Sequence, residues 1–131
     1  MMSQNVEMQS PKTAQVLLLV EDQALIRMDT AEELRSGGWT VYEAANADDA
    51  LEQLHCHRDI TALFTDIDMP GSMDGLQLSR LAKAECDQLK IVVTSGMQMP
   101  CGEELPLGAV FVAKPYHVAR VKSALSGFAA P

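Results

Sequence analysis

Five short apolar or β-branched runs punctuate the chain, at residues 16–20, 39–43, 60–65, 89–93 and 109–113. The first, VLLLV, is continuous rather than alternating, as expected of a strand covered on both faces. WTVYE at 39–43 is rich in strand formers, and ITALFT at 60–65 and LKIVV at 89–93 follow the same pattern. AVFVA at 109–113 closes the set.

Between these runs the pattern changes to a helical period. Residues 23–36 place Ile26, Thr30 and Leu34 on one row, with Ala31 beside them, and Gly37-Gly38 ends the helix. Asn46 suits the N-cap of a helix over 47–56, striped by Ala50, Leu51 and Leu54. Residues 76–84 form a third helix, with Leu76, Leu78, Leu81 and Ala82 apolar. The fourth helix, due between 97 and 108, is expected to be short or irregular. That stretch holds Pro100 and Pro106, and only 101–105 has room for a helical turn or two. A last helix runs from His117 to about Phe128, with Val118, Val121 and Leu125 inward. Strand and helix thus alternate five times. Parallel strands joined by right-handed helical crossovers predict a five-stranded α/β fold with helices on both faces. Residues 1–14 read as a disordered tail, 15–128 as one domain and 129–131 as a short C-terminal tail, with no second domain.

Charge narrows the possible functions. Eighteen acids against ten bases give a net charge of −8, which argues against direct nucleic-acid binding and suits cations or basic protein surfaces. No apolar run is long enough to span a membrane, and the N-terminus lacks the apolar core of a secretory signal. Cys56, Cys86 and Cys101 share no metal-ligand spacing and read as reduced, mostly structural thiols of a cytoplasmic protein.

The distinctive chemistry lies just past the strands. The first run ends in Glu21-Asp22, the third in Asp66, the fourth in Thr94-Ser95 and the fifth in Lys114. In a parallel sheet all these ends share one edge, where α/β proteins bind ligands. Two carboxylates about 5 Å apart repel by roughly 3 kcal/mol at an effective dielectric near 20, so a cluster of three calls for a cation. Hard oxygen donors suit Mg²⁺. A metal, an ammonium and a hydroxyl around a carboxylate are the parts needed to move a phosphoryl group onto that carboxylate. Singly, each residue has a plainer role. Asp22 suits a helix cap, Asp66 a turn before Met69-Pro70, Thr94-Ser95-Gly96 a turn, and Lys114 the surface. Asp66 is thus a nucleophile, a metal ligand or a turn residue, and the joint pattern favours the first two.

Four motifs, LLLVED at 17–22, LFTDIDMP with MDG at 63–75, VVTSG at 92–96 and FVAKP at 111–115, resemble the receiver domain of bacterial two-component response regulators. The resemblance spans nearly the whole chain outside the N-terminal tail. It implies a flavodoxin-like sheet of order 2-1-3-4-5 and a phosphoryl-accepting signalling protein. It implies that Asp66 takes a phosphoryl group from a histidine kinase or histidine phosphotransfer protein and so switches a partner-binding face. It further implies Mg²⁺ held by Asp22, Asp66 and the backbone carbonyl of Asp68, with Glu21 acting through water. Lys114 and Thr94 would address the phosphoryl group, and Phe111 would turn inward as the switch aromatic.

The chain departs from the family pattern at Gly71-Ser72, two residues where one is common, and at Phe111, where tyrosine is commoner. Asp66-Ile67-Asp68 also resembles the motif of haloacid-dehalogenase-type phosphatases, but there the motif opens the first strand, so a turnover enzyme is not expected. A module that is never phosphorylated would not need Asp22, Asp66, Thr94 and Lys114 together. His55 and His57 point to different helix faces and read as a solvated helix end, and His117 as exposed. The eight methionines are expected mostly in the core or the tail.

Overall fold

The computed structural model describes residues 15–97 and 99–127. The elements are β1 (Val16–Val20), α1 (Ala24–Ser36), β2 (Thr40–Ala44), α2 (Ala47–Cys56), β3 (Ala62–Asp66), α3 (Gly75–Glu85), β4 (Lys90–Ser95), β5 (Val110–Ala113) and α4 (Val118–Gly127). Among the described residues, a 3₁₀ turn at Gly102–Glu104 is all the helix that the fourth crossover carries, as its two prolines led us to expect. The sheet order is β2-β1-β3-β4-β5, and every neighbouring pair is parallel. The expected tails at 1–14 and 129–131, and Phe128, lie outside the described residues.

Strand alternation divides the core into two layers. Leu18, Val20, Leu63, Ile91 and Val93 face α2 and α3, where Ala47, Ala50, Leu76, Leu78 and Ala82 meet them. Leu17, Leu19, Phe64, Val92 and Val112 face α1 and α4, packing on Ala31, Leu34, Val118, Val121 and Leu125. Burial on both faces explains why β1 is apolar throughout. Local signals fix the helix starts. Asn46 accepts from the Asp49 amide at the start of α2. Asp74 and Gln77 form a reciprocal capping box at the start of α3, one residue earlier than the periodicity placed it.

Several expectations need correction. Ile26 is 36% exposed, because the first turn of α1 rises beyond the carboxyl edge of the sheet and has no strand beneath it. Leu81 is also exposed. All three cysteines are free and exposed, at helix ends or in the fourth crossover, so they are not core thiols. Met69 is buried and Met73 half-buried, but Met28, Met97 and Met99 are exposed. Thr94 and Ser95 belong to β4 rather than to a turn after it. His55 bonds Glu85 across the ends of α2 and α3, His57 stacks on Tyr42, and His117 is exposed.

Candidate functional site

Backbone pairing runs one residue beyond the strands and fixes the polar residues there. Glu21 N donates to Ala44 O (3.1 Å), Ile67 N to Thr94 O (2.8 Å) and Lys114 N to Ser95 O (3.0 Å). The β3–β4 register sets Asp66 directly beside Thr94. Glu21, Asp66 and Thr94 are buried and Asp22 half-buried, all at the carboxyl edge of the central strands. One carboxylate oxygen from each of Glu21, Asp22 and Asp66 lies within 4.8 Å of the others.

Lys114 reaches into this cluster from β5. Its Nζ donates to Asp66 Oδ2 at 2.8 Å and to Glu21 Oε1 at 3.3 Å. Burial works against the ammonium, yet the hydrogen bond and charge of Asp66, joined by those of Glu21, hold it above its usual range. Glu21 moves the other way for an acid. Burial pushes its carboxyl up, the Gln23 amide pulls it back, and the Asp66 charge pushes it up again. One lysine cannot offset two carboxylates, and it sits nearer to Asp66.

The plainer roles of Asp22, Thr94 and Lys114 fail. Asp22 does not cap α1, whose N-cap is Gln23 with no side-chain bond. Asp22 Oδ1 is buried and has no hydrogen-bond partner among the described residues, and Thr94 Oγ1 shares that condition. Leaving such an atom unpaired costs about 1–3 kcal/mol, so a fold retains it where a ligand supplies the partner. Asp66 does hold its own turn, since Oδ1 accepts from the Asp68 amide at 3.0 Å. Its other oxygen nonetheless faces Lys114, so turn and site are one structure. Three carboxylates with an unsatisfied oxygen form a hard-oxygen donor set that fits a divalent cation such as Mg²⁺.

Asp68 is tied across the site by its own side chain, which accepts a hydrogen bond from Ser95 Oγ, and Ser95 Oγ in turn accepts from the Met97 amide. The Gly71-Ser72 loop leans away, toward α2, where Ser72 Oγ meets Asp48 Oδ2 at 3.3 Å. Phe111 is half-buried against the α2–α3 side of the core. Sequence reasoning missed the Ser95–Asp68 bond and a pair of arginines on α1. Arg27 donates to the Glu21 carbonyl and to Glu43, and Arg35 donates to the same Glu43. Polar spacing gave no signal for either, since the partners come from different elements.

Beside the cluster, α1 and the start of α4 leave a groove of about 1130 Å³. Leu25, Ile26, Asp29 and Glu33 form one wall, and Gly96, Lys114 and the residues through Ala119 form the other. Tyr116 closes its floor, edge-on to Phe64 and bonded through its hydroxyl to Thr30.

A doubly wound sheet of this order, carrying an acidic triad and a lysine at its carboxyl edge, defines a flavodoxin-like domain built around one buried aspartate. The chain belongs to the response regulator receiver domain family, whose model matches residues 17–126. It is therefore a receiver domain of the two-component signal transduction type. The sensor kinase CckA of Brucella abortus (strain 2308) is 36% identical over 81 residues, which is 61% of this chain and 8% of that protein. The solved receiver domain of a hybrid histidine kinase CckA is 30% identical, covers 84% of this chain and 98% of its own, and superposes with a TM-score of 0.67. A response regulator receiver protein from Sinorhizobium medicae WSM419 is 25% identical, with 86% and 92% covered and a TM-score of 0.78. No described helix is long and apolar enough to cross a membrane.

Proposed function

We propose that Asp66 is the phosphoryl acceptor. Its carboxylate attacks the phosphorus of a phosphohistidine on a histidine kinase or histidine phosphotransfer protein. The P–N bond breaks, and its electron pair stays on the imidazole nitrogen, which takes up a proton. Asp22, Asp66 and the Asp68 carbonyl would hold Mg²⁺, with Glu21 behind a water. The metal's chemistry is to offset charge on the phosphoryl oxygens. Lys114 holds Asp66 before transfer and meets a phosphoryl oxygen after it. Thr94 Oγ1 turns to a second oxygen, and Phe111 follows it inward, reshaping the face presented to a downstream protein. The reaction is one-time modification, not turnover of an external substrate, and no nucleic acid takes part. The three unpaired thiols suit a cytoplasmic setting.

The observation that carries this reading is the pair of buried atoms without partners among the described residues, Asp22 Oδ1 just past β1 and Thr94 Oγ1 on β4, the two strands that flank β3. One needs a cation and the other an acceptor, which Mg²⁺ and a phosphoryl group on Asp66 would supply. Beryllofluoride mimics that group. With Mg²⁺ it should give a protein-bound ¹⁹F resonance that is absent without the metal and absent in Asp66→Asn. A bound signal that survives either change would refute the assignment.

The groove is the route for the donor. Leu25 is 83% exposed at its lip. Asp29 and Glu33 along the same wall favour a donor helix with basic residues beside the phosphohistidine. Leu25→Asp is expected to slow transfer from a protein phosphohistidine by about tenfold, the loss of one apolar anchor. Labelling by a small phosphodonor should stay at the wild-type rate. Equal slowing with both donors would place the defect in the site instead.

A further inference from the structure

Glu21, the residue before Asp22, is held at both its amide and its carbonyl, and the group that holds the carbonyl is a side chain with no role in the chemistry above. The Glu21 amide donates to Ala44 O on β2 at 3.1 Å. The Glu21 carbonyl accepts from Arg27 at 2.9 Å. Arg27 lies one turn into α1, and its guanidinium is itself held, because Nε donates to Glu43 Oε1 at 3.2 Å. Glu43 is on β2 and is fixed in turn by Arg35, which donates to its other oxygen at 3.1 Å and to Val41 O. The Glu43 carbonyl also accepts from Gln53 of α2. The Arg27 and Glu43 side chains are 18% and 25% exposed, so these bonds are partly shielded from water. Without the arginine, the segment from Glu21 to Gln23 would be held by the Ala44 pairing and by the Gln23–Glu21 side-chain turn.

We propose that Arg27 is a positioning residue for the cation site. It fixes the Glu21–Asp22 peptide plane, and so the direction in which Asp22 presents its unpartnered oxygen to Mg²⁺. Glu43 orients Arg27 and acts at one remove. This rests on the reading of the acidic cluster as a Mg²⁺ site.

Charge and geometry make opposite demands here, which makes the idea testable. Arg27 is a cation near three carboxylates, so by charge alone its removal would tighten Mg²⁺ binding. Loss of the clamp should loosen it. Groups that orient a ligand from behind change metal affinity by about 10–100-fold. The test is calorimetric Mg²⁺ titration of the wild-type chain, Arg27→Ala, Arg27→Lys and Glu43→Gln, each checked for a cooperative melt. Arg27→Ala is expected to weaken Mg²⁺ binding about tenfold, the low end of that range. Arg27→Lys should also weaken it, since one ammonium cannot reproduce the fork to Glu21 and Glu43. Glu43→Gln keeps the Arg27 charge and should weaken binding by a smaller factor. If Arg27→Ala binds Mg²⁺ as tightly as wild type or more tightly, the proposal is wrong while the site stands. Should Arg27→Ala fail to fold, Arg27→Lys and Glu43→Gln decide the matter by the same sign. If the wild-type chain binds no Mg²⁺, the functional reading falls, and this inference with it.

Discussion

Lys114→Met is expected to destabilise the protein by about 2 kcal/mol in the absence of divalent metal, while strengthening Mg²⁺ binding and slowing phosphoryl transfer by about 100-fold. Each effect follows from one ammonium placed between Asp66 and Glu21. Removing one member of a buried ion pair costs about 3–5 kcal/mol, and the 21% exposure of the lysine side chain reduces that figure. Methionine keeps most of the packing volume, so the loss is electrostatic. The same substitution removes the ammonium bonded to Asp66 and Glu21, and Mg²⁺ then relieves more of the repulsion among the three carboxylates. Its affinity should rise about tenfold or more. Urea unfolding with and without Mg²⁺ would show this as a larger metal-induced stabilisation in the variant than in wild type. The rate loss corresponds to removing one preorganised donor from developing phosphoryl charge, about 10²–10³.

The pH dependence has a defined sign. Lys114 is raised in the fold above its unfolded value, so its contribution is fully present below the unfolded value and disappears as pH rises through the folded one. Wild type and Lys114→Met should therefore differ across the neutral range and converge as the pH rises into strongly alkaline solution. A difference that vanished near neutrality would contradict the pairing.

Gly75→Ala is expected to cost about 3 kcal/mol or more, which for a chain of this size lowers Tm by about 10 °C. Gly75 opens α3, and its amide donates to the Ile67 carbonyl at 3.1 Å. The helix start lies so close against the end of β3 that a Cβ would overlap the carbonyl of Asp66 and press on Cα of Ile67. Both obstacles are backbone, so no rotamer change relieves them. The roughly 1 kcal/mol that alanine gains in helix propensity does not offset the overlap. Gly71→Ala is the comparison. Gly71 has φ of +114° but open space around its missing side chain, so it should cost only about 1 kcal/mol. The consequence at position 75 also extends to function, because the displaced carbonyl belongs to Asp66. Thermal melts of the two variants should separate clearly. Equal losses would mean that the close approach of α3 is not what requires glycine at 75.

Much of this was legible in the chain. Apolar runs ending in acid, hydroxyl or lysine place Glu21, Asp22, Asp66, Thr94 and Lys114 at strand ends, and parallel pairing then brings them together. The order of the strands was not legible from periodicity, which is the same for any arrangement, and it came only through the family resemblance. Ile26 misled because a helical row marks a face but does not say where the sheet beneath it stops. The cysteines misled because a thiol suits a core as readily as a helix end. The Arg27–Glu43–Arg35 network was invisible because charged residues on a helix read as a solvated face until the neighbouring strand is in place. Asp22 was ambiguous for a different reason. Its spacing before α1 is that of a cap, and only the unpaired buried oxygen separates a cap from a ligand.

The central claim is that Asp66 receives the phosphoryl group, and intact-mass measurement after incubation with a small phosphodonor and Mg²⁺ tests it most directly. Wild type should gain the mass of one phosphoryl group, lose it on treatment with base or hydroxylamine, and gain none when Mg²⁺ is chelated. Asp66→Asn should stay at its unmodified mass. A wild-type chain that takes up no phosphoryl group, or an Asp66→Asn chain that takes it up equally, would contradict the account.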